Sequence, residues 1–183
     1  MNRFALGLVG SLALAAAPLL AQAPAPAPAG GSAPSTAAAV QQNYNIIKNN
    51  VLKAADKMPD DAYDFKPTPE VRTFGGWVAH LADAQSNGCP RILGQQPAAR
   101  PATPPSGKAA IVAYIKQSFD ACDPAYAALT DANSNDTVQT FRGPSTRLAA
   151  LVGNVIHDSE GYGAMAVYLR LKGIVPPSSE PRR

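Results

Sequence analysis

Residues 154–173, NVIHDSEGYGAMAVYLRLKG, are the stretch that decides the fold. The stretch ends in Gly173, a residue type that suits the position just after a helix, and Lys172 before it suits the negative end of the helix dipole. Pro176, a little further on, cannot continue a helix. Upstream of the stretch, Ser145 is a residue type that begins helices. The sequence therefore predicts a long final helix from Ser145 to about Lys172.

A histidine and a glycine stand four residues apart within this helix. Residues four apart lie on one helix face, so a histidine at position 161 would complete, with His157, a metal-binding pair one turn apart. Gly161 has no side chain and weakens a helix. Three interpretations are open: a working metal site, the remains of one, or a histidine with no chemical role.

Helical spacing of apolar residues recurs in the first half of the chain. Val40, Tyr44, Ile47 and Val51 share one face of a predicted first helix, which Pro59 ends. This helix is the first of three that precede the final one.

The next two helices are marked by their caps. The second is predicted to begin at Thr73, with a kink or an end at Pro90, and the third is capped by Ser106. Asp123 and the proline after it either break the third helix or restart it. No stretch alternates enough to indicate a strand, so residues 130–144 are predicted to be a loop. Four helices of ~20 residues favour an all-α fold, a four-helix bundle.

Both ends of the chain differ in composition from this core. Residues 1–23 combine a cation, an apolar run and a small-x-small ending, which is typical of a secretory signal peptide; the alternative is an uncleaved membrane anchor, for which the run is short. Residues 24–38 are a Pro/Ala-rich linker, and residues 179–183 form a C-terminal tail. Residues 39–178 remain, enough for one domain.

The predicted signal peptide implies a secreted or periplasmic protein, with no membrane association after cleavage. The formal net charge is +3, and removal of Arg3 with the signal would leave +2. The Lys and Arg residues form no run, so nucleic acid is excluded as an expected partner. Cys89 and Cys122 are an even pair in an oxidising compartment, which favours a disulfide; two buried free thiols are the alternative.

The chain has two histidines, His80 and His157, each near the middle of a predicted helix. Helix bundles build metal sites from such inward-facing side chains, and imidazole suits zinc, nickel or iron. Asp83 and Glu160 each follow a histidine by three residues, so they are candidate supporting carboxylates. The alternative to a metal site is that each histidine is an ordinary hydrogen-bonded or half-exposed side chain. Two protein ligands are also fewer than the three of a usual catalytic zinc site.

Two longer phrases carry a family resemblance. AADKMPDDAYDFKPTPEVRTFGGWVAHLADAQ at 54–85 and HDSEGYGAMAVYLRLKGIVPPSS at 157–179 resemble the DinB-like superfamily, in particular its secreted members. The resemblance covers the chain from about Val40 to Ser179. It implies a DinB-like four-helix bundle, often a homodimer, with a divalent metal held by three histidines. Members include thiol-dependent transferases and isomerases.

The resemblance also assigns the site residues. His80 matches the first ligand and His157 the second, whereas the third falls at Gly161, which is therefore a vacant ligand position. On this basis Gly161→His is expected to raise both metal affinity and stability.

Three functions follow from these assignments. The first is a divalent-metal-dependent transferase or hydrolase with an incomplete histidine triad. The second is a non-catalytic degenerate bundle that binds a ligand or partner in the envelope. The third is a purely structural domain.

Overall fold

The computed structural model describes residues 33–181. The predicted signal peptide and most of the predicted linker lie outside the described residues. Within the described residues, the chain from Pro34 onward forms one compact unit.

Four long helices and one hairpin make up the described part of the chain. The helices are α1 Thr36–Lys57, α2 Phe74–Ile92, α3 Lys108–Ala127 and α4 Arg147–Leu171, the strands are β1 Thr137–Thr140 and β2 Gly143–Thr146, and two 3₁₀ turns span Asp60–Ala62 and Pro177–Ser179. The helices pack as a bundle, which confirms the predicted fold class. Between residues 33 and 181, no helix is both long and apolar enough to cross a membrane.

Side-chain caps fix where three of these helices begin. Ser35 accepts a hydrogen bond from the backbone N–H of residue 38, and Thr73, as predicted, accepts one from Gly76 at 2.9 Å. Thr146 caps α4 in the same way. The prediction for α3 was wrong: Gly107, with a φ of 76°, precedes the helix and Ser106 does not cap it.

A proline near the end of α3 does not interrupt it. The helix runs through Pro124 to Ala127 as one element. The predicted break or restart at Asp123 is therefore absent, and the aspartate instead accepts hydrogen bonds from Tyr44 and Lys48 of α1.

One core joins all four helices. Val51 of α1, Leu81 of α2, Phe119 of α3 and Met165 of α4 are each fully buried. Tyr44 of α1 stacks on the Tyr126 ring of α3, with ring centroids 3.6 Å apart. The packing holds α2 and α4 side by side, which brings the two histidines into one region.

A disulfide between Cys89 and Cys122 links α2 to α3, as predicted, with the two Cα atoms 5.0 Å apart. Both half-cystines are fully buried.

The hairpin is a correction to the predicted loop. Its strands are antiparallel, with Val138 opposite Ser145 and Thr140 opposite Gly143. The Thr140 hydroxyl donates to the Gly143 carbonyl at 2.8 Å, which closes the turn. Because β2 extends through Thr146, α4 begins at Arg147 rather than at Ser145.

Candidate functional site

The two histidines meet across the interface of α2 and α4. The Nε2 atoms of His80 and His157 are 3.1 Å apart, and their ring centroids are 5.0 Å apart. Both side chains are half-buried and line the same cleft. Two residues far apart in the sequence are thus brought together, with one ring nitrogen of each directed at the other.

The histidine pair fits half of a metal site. Two nitrogen ligands of one tetrahedral zinc ion, each about 2.0–2.1 Å from it, lie about 3.3 Å apart. The observed 3.1 Å between the Nε2 atoms is close to that separation. Within residues 33–181, however, no three His, Cys, Asp or Glu side chains are grouped closely enough to hold an ion together. Water or a bound molecule would have to complete the coordination.

The two predicted supporting carboxylates lie in different places. Asp83 lines the cleft, where it accepts a hydrogen bond of 2.8 Å from the Tyr114 hydroxyl and lies 3.9 Å from an Arg100 nitrogen. Glu160 is exposed and does not line the cleft. The geometry therefore gives Asp83, but not Glu160, a place beside a molecule in the cleft.

Gly161 faces a side chain rather than an empty space. A Cβ atom at this position would lie 2.6 Å from Leu81 Cδ2 and 3.0 Å from its Cγ. Leu81 is fully buried, so it cannot swing into solvent. The position allows α4 to approach α2 closely. A histidine here would clash, and the expectation that Gly161→His raises stability is therefore wrong.

Sequence reasoning missed a buried acid beside His157. Asp158 is fully buried, and burial raises the pKa of its carboxyl group, whereas the nearby His157 and then a hydrogen bond from the Gln85 side chain oppose that shift. Its Oδ1 lies 3.9 Å from His157 Nδ1, and neither atom has a hydrogen-bond partner among the described residues. One signal could have found it: Asp158 follows Leu151 by seven residues and precedes Met165 by seven, in the buried stripe of α4.

The environment of His80 favours the neutral imidazole. Burial lowers the pKa of His80 most, and the positive charge of Arg72 lowers it further. The ring also meets the Trp77 ring edge-on, with centroids 6.0 Å apart. A neutral ring keeps a lone pair, which metal binding requires.

The cleft that the histidines line has a volume of about 790 Å³. Its walls come from α2, from α4, from the connection after α2, and from the β1–β2 hairpin. Gly88 and Gly153 line it as well, and a Cβ atom at either glycine would meet nothing within 4 Å. The cleft therefore has room for a small molecule close to the two imidazoles.

Solved structures share this fold at low sequence identity. A DinB-like protein from Bacillus subtilis superimposes with a TM-score of 0.62 at 18% identity, covering 79% of this chain and 96% of its own. A DinB-like protein from Bacillus cereus gives a TM-score of 0.60 at 18% identity, with coverage of 75% and 93%. A conserved protein from Enterococcus faecalis gives 0.58 at 13% identity, with coverage of 76% and 98%.

The sequence itself matches a family as well as a fold. A search of the curated proteins found none that matches the chain. The family model of the DinB superfamily matches residues 45–163. That range includes both histidines, the disulfide and the hairpin, and it makes up more than half of the chain. The chain therefore belongs to the DinB superfamily.

Proposed function

We propose that this protein is a divalent-metal-dependent transferase or hydrolase that acts on a small molecule in the cleft. The observation that carries the proposal is the 3.1 Å approach of His80 Nε2 to His157 Nε2 at the cleft wall. Two imidazole nitrogens at the spacing of two zinc ligands, beside a space large enough for a substrate, supply two of the three protein ligands that a catalytic zinc centre normally has.

His80 and His157 would hold the ion, and zinc, nickel or iron suits this donor set. Such an ion supplies Lewis acidity and lowers the pKa of a bound water or thiol. Because the protein offers two ligands rather than three, the substrate or water has more of the coordination sphere to occupy. Asp158 lies behind His157 on its Nδ1 side, with its Oδ1 3.9 Å from that nitrogen. A carboxylate that moved within hydrogen-bonding distance there would hold a proton on Nδ1 and leave Nε2 free to bind.

The test is metal content and affinity. The full chain, purified without a histidine tag, is expected to bind one zinc, nickel or iron per protein in elemental analysis. His80→Ala and His157→Ala should each abolish stoichiometric binding, whereas Glu160→Gln should leave it unchanged because Glu160 lies outside the cleft. A wild-type protein that stays metal-free after incubation with each ion would sink the proposal.

A second function is favoured by the same pair of atoms. A separation of 3.1 Å also suits a hydrogen bond in which one neutral imidazole donates to the other. Leu81, packed against Gly161, leaves no room for a third histidine. The second candidate is therefore a metal-free DinB-like bundle that binds a ligand without transforming it, and a metal-free protein that still binds a cleft ligand would support it.

We further propose that the protein is exported and that it forms a homodimer. The signal-like residues 1–23 support export, and the family resemblance supports dimerisation. Fractionation of the host, with detection in the envelope or the medium, tests the first proposal. Sedimentation of the purified protein tests the second, since a mass of one chain at all concentrations would refute it.

A further inference from the structure

Three arginines from three separate parts of the chain line the cleft. Arg91 belongs to α2, Arg100 to the connection between α2 and α3, and Arg142 to the turn between β1 and β2. Guanidinium groups match the planar geometry of carboxylates and phosphates, because each can offer two parallel N–H donors.

These cations have little negative charge to neutralise them. Among the described residues that line the cleft, Asp83 is the one acidic side chain, and it already accepts a hydrogen bond from Tyr114 and lies 3.9 Å from Arg100. No carboxylate within residues 33–181 forms an ion pair with Arg91 or Arg142. The cleft is therefore net positive, and a bound anion would supply the missing partner.

One of the arginines is held in place by a neutral side chain. Arg91 Nε donates to Asn87 Oδ1 at 3.2 Å, and Asn87 also lines the cleft. This bond uses Nε and leaves the terminal N–H groups of Arg91 available. A half-buried arginine that is oriented in advance loses less side-chain freedom when it binds an anion.

The remaining surface suits the uncharged part of a ligand. Phe141, Pro144 and Ala149 contribute apolar wall, and the open faces of Gly88 and Gly153 contribute space. Phe141 is 71% exposed, so at the tip of the hairpin it is available for contact with a bound molecule. Apolar walls combined with a few charged groups are the usual composition of a small-molecule site.

We propose that the cleft binds a small organic anion whose carboxylate or phosphate is held by Arg91, Arg100 and Arg142. The apolar part of the molecule lies over Gly88 and Gly153. Because these glycines and the two histidines line one cleft, the bound molecule shares that cleft with the histidine pair. The inference rests on the proposed function for the reaction that the molecule undergoes, but binding itself requires no metal.

The test is calorimetric titration of the full chain after metal removal on a chelating resin, in a zwitterionic buffer at low salt. The probes are benzoate, phenyl phosphate and the neutral benzamide, which share one aromatic ring and differ in charge. At least one anion is expected to bind, with benzamide at least about tenfold weaker, because a charge-assisted hydrogen bond is lost. Comparison of benzoate with phenyl phosphate identifies which anionic group the cleft prefers.

Matched variants locate the binding. Arg91→Gln should weaken anion binding by at least about tenfold, whereas Arg170→Gln should not, because Arg170 is an exposed α4 residue outside the cleft. Gly153→Leu should block binding while the fold is kept, since nothing lies within 4 Å of the new Cβ. Gly163→Leu is its control: it is on the same helix, equally unobstructed, and outside the cleft.

The outcomes separate this inference from the metal-dependent function. Absence of binding by both anions, benzamide binding as tightly as the anions, or wild-type affinity in Gly153→Leu would each overturn the inference, whatever the metal content. Anion binding by a protein that never takes up metal would support the inference and refute the metal-dependent function.

Discussion

Gly161 determines how closely α4 can approach α2. An alanine there would place its Cβ 2.6 Å from Leu81 Cδ2, inside a fully packed core. The better helix propensity of alanine contributes up to about 1 kcal/mol, but overpacking costs about 1–3 kcal/mol. Gly161→Ala is therefore expected to lower the free energy of unfolding by about 1 kcal/mol, measured by urea denaturation.

The control for this prediction is two residues away on the same helix. Gly163 is exposed and its Cβ would meet nothing within 4 Å, so Gly163→Ala should raise the free energy of unfolding by up to about 1 kcal/mol. If Gly161→Ala stabilised the protein as much as Gly163→Ala does, the proposed overpacking of a Cβ at position 161 against Leu81 would be refuted. A double substitution, Gly161→Ala with Leu81→Ala, should destabilise less than the sum of the two single changes.

The limits of sequence reasoning are visible at these same residues. The resemblance led to His80 and His157, because it aligned each histidine with a family position. No sequence pattern shows which side chain lies against Gly161, because Leu81 is eighty residues away in the chain. Asp158 was not among the predicted site residues, although its place in the buried stripe of α4 was visible in the spacing.

Among the elements, α2 and α3 are joined covalently as well as by packing. The disulfide between Cys89 and Cys122 closes a segment with a sequence separation of 33. Without the disulfide the unfolded chain gains conformational entropy, which in the chain-entropy model lowers the free energy of unfolding by about 3–4 kcal/mol. The double variant Cys89→Ala/Cys122→Ala is expected to lose about that much free energy of unfolding in urea denaturation, and a loss below about 1 kcal/mol would contradict the expectation.

The hairpin shows why one element escaped the sequence prediction. β1 has a single buried residue, Val138, and the side chains of β2 alternate between half-buried and exposed. Period-two alternation needs several apolar residues on one face, which these short strands do not have. The hairpin is held instead by the pairing of its two strands and by the turn at Gly143, whose φ of 108° suits a glycine.

At the scale of the whole molecule, the bundle could be predicted because its signals are long and repeated. Each helix carries an apolar stripe over at least five turns, and Pro59 and Gly173 mark ends that the structure places close to the predicted positions. The cleft could not be predicted in the same way. Its lining combines Arg91, Arg142 and His157 from three elements, and only tertiary packing brings them to one surface.

The bundle as a whole should lose stability at alkaline pH through three buried tyrosines. Burial raises the pKa of Tyr44, Tyr63 and Tyr126 above the ordinary value of about 10, and for Tyr44 the hydrogen bond to Asp123 raises it further. Above that ordinary value the unfolded chain releases phenolic protons that the folded chain keeps, so rising pH favours unfolding. We expect the free energy of unfolding to fall by up to about 1.4 kcal/mol per pH unit for each tyrosine.

The measurement for these tyrosines is urea denaturation between pH 8 and pH 11, with refolding at pH 8 to show that the disulfide is intact. Tyr44→Phe removes one of the three groups that link stability to pH. It should cost stability at pH 8, because its hydroxyl no longer donates to Asp123, yet its stability should fall less steeply above pH 10. An equal slope in the wild type and in Tyr44→Phe would mean that this phenol ionises as readily in the folded protein as in the unfolded chain.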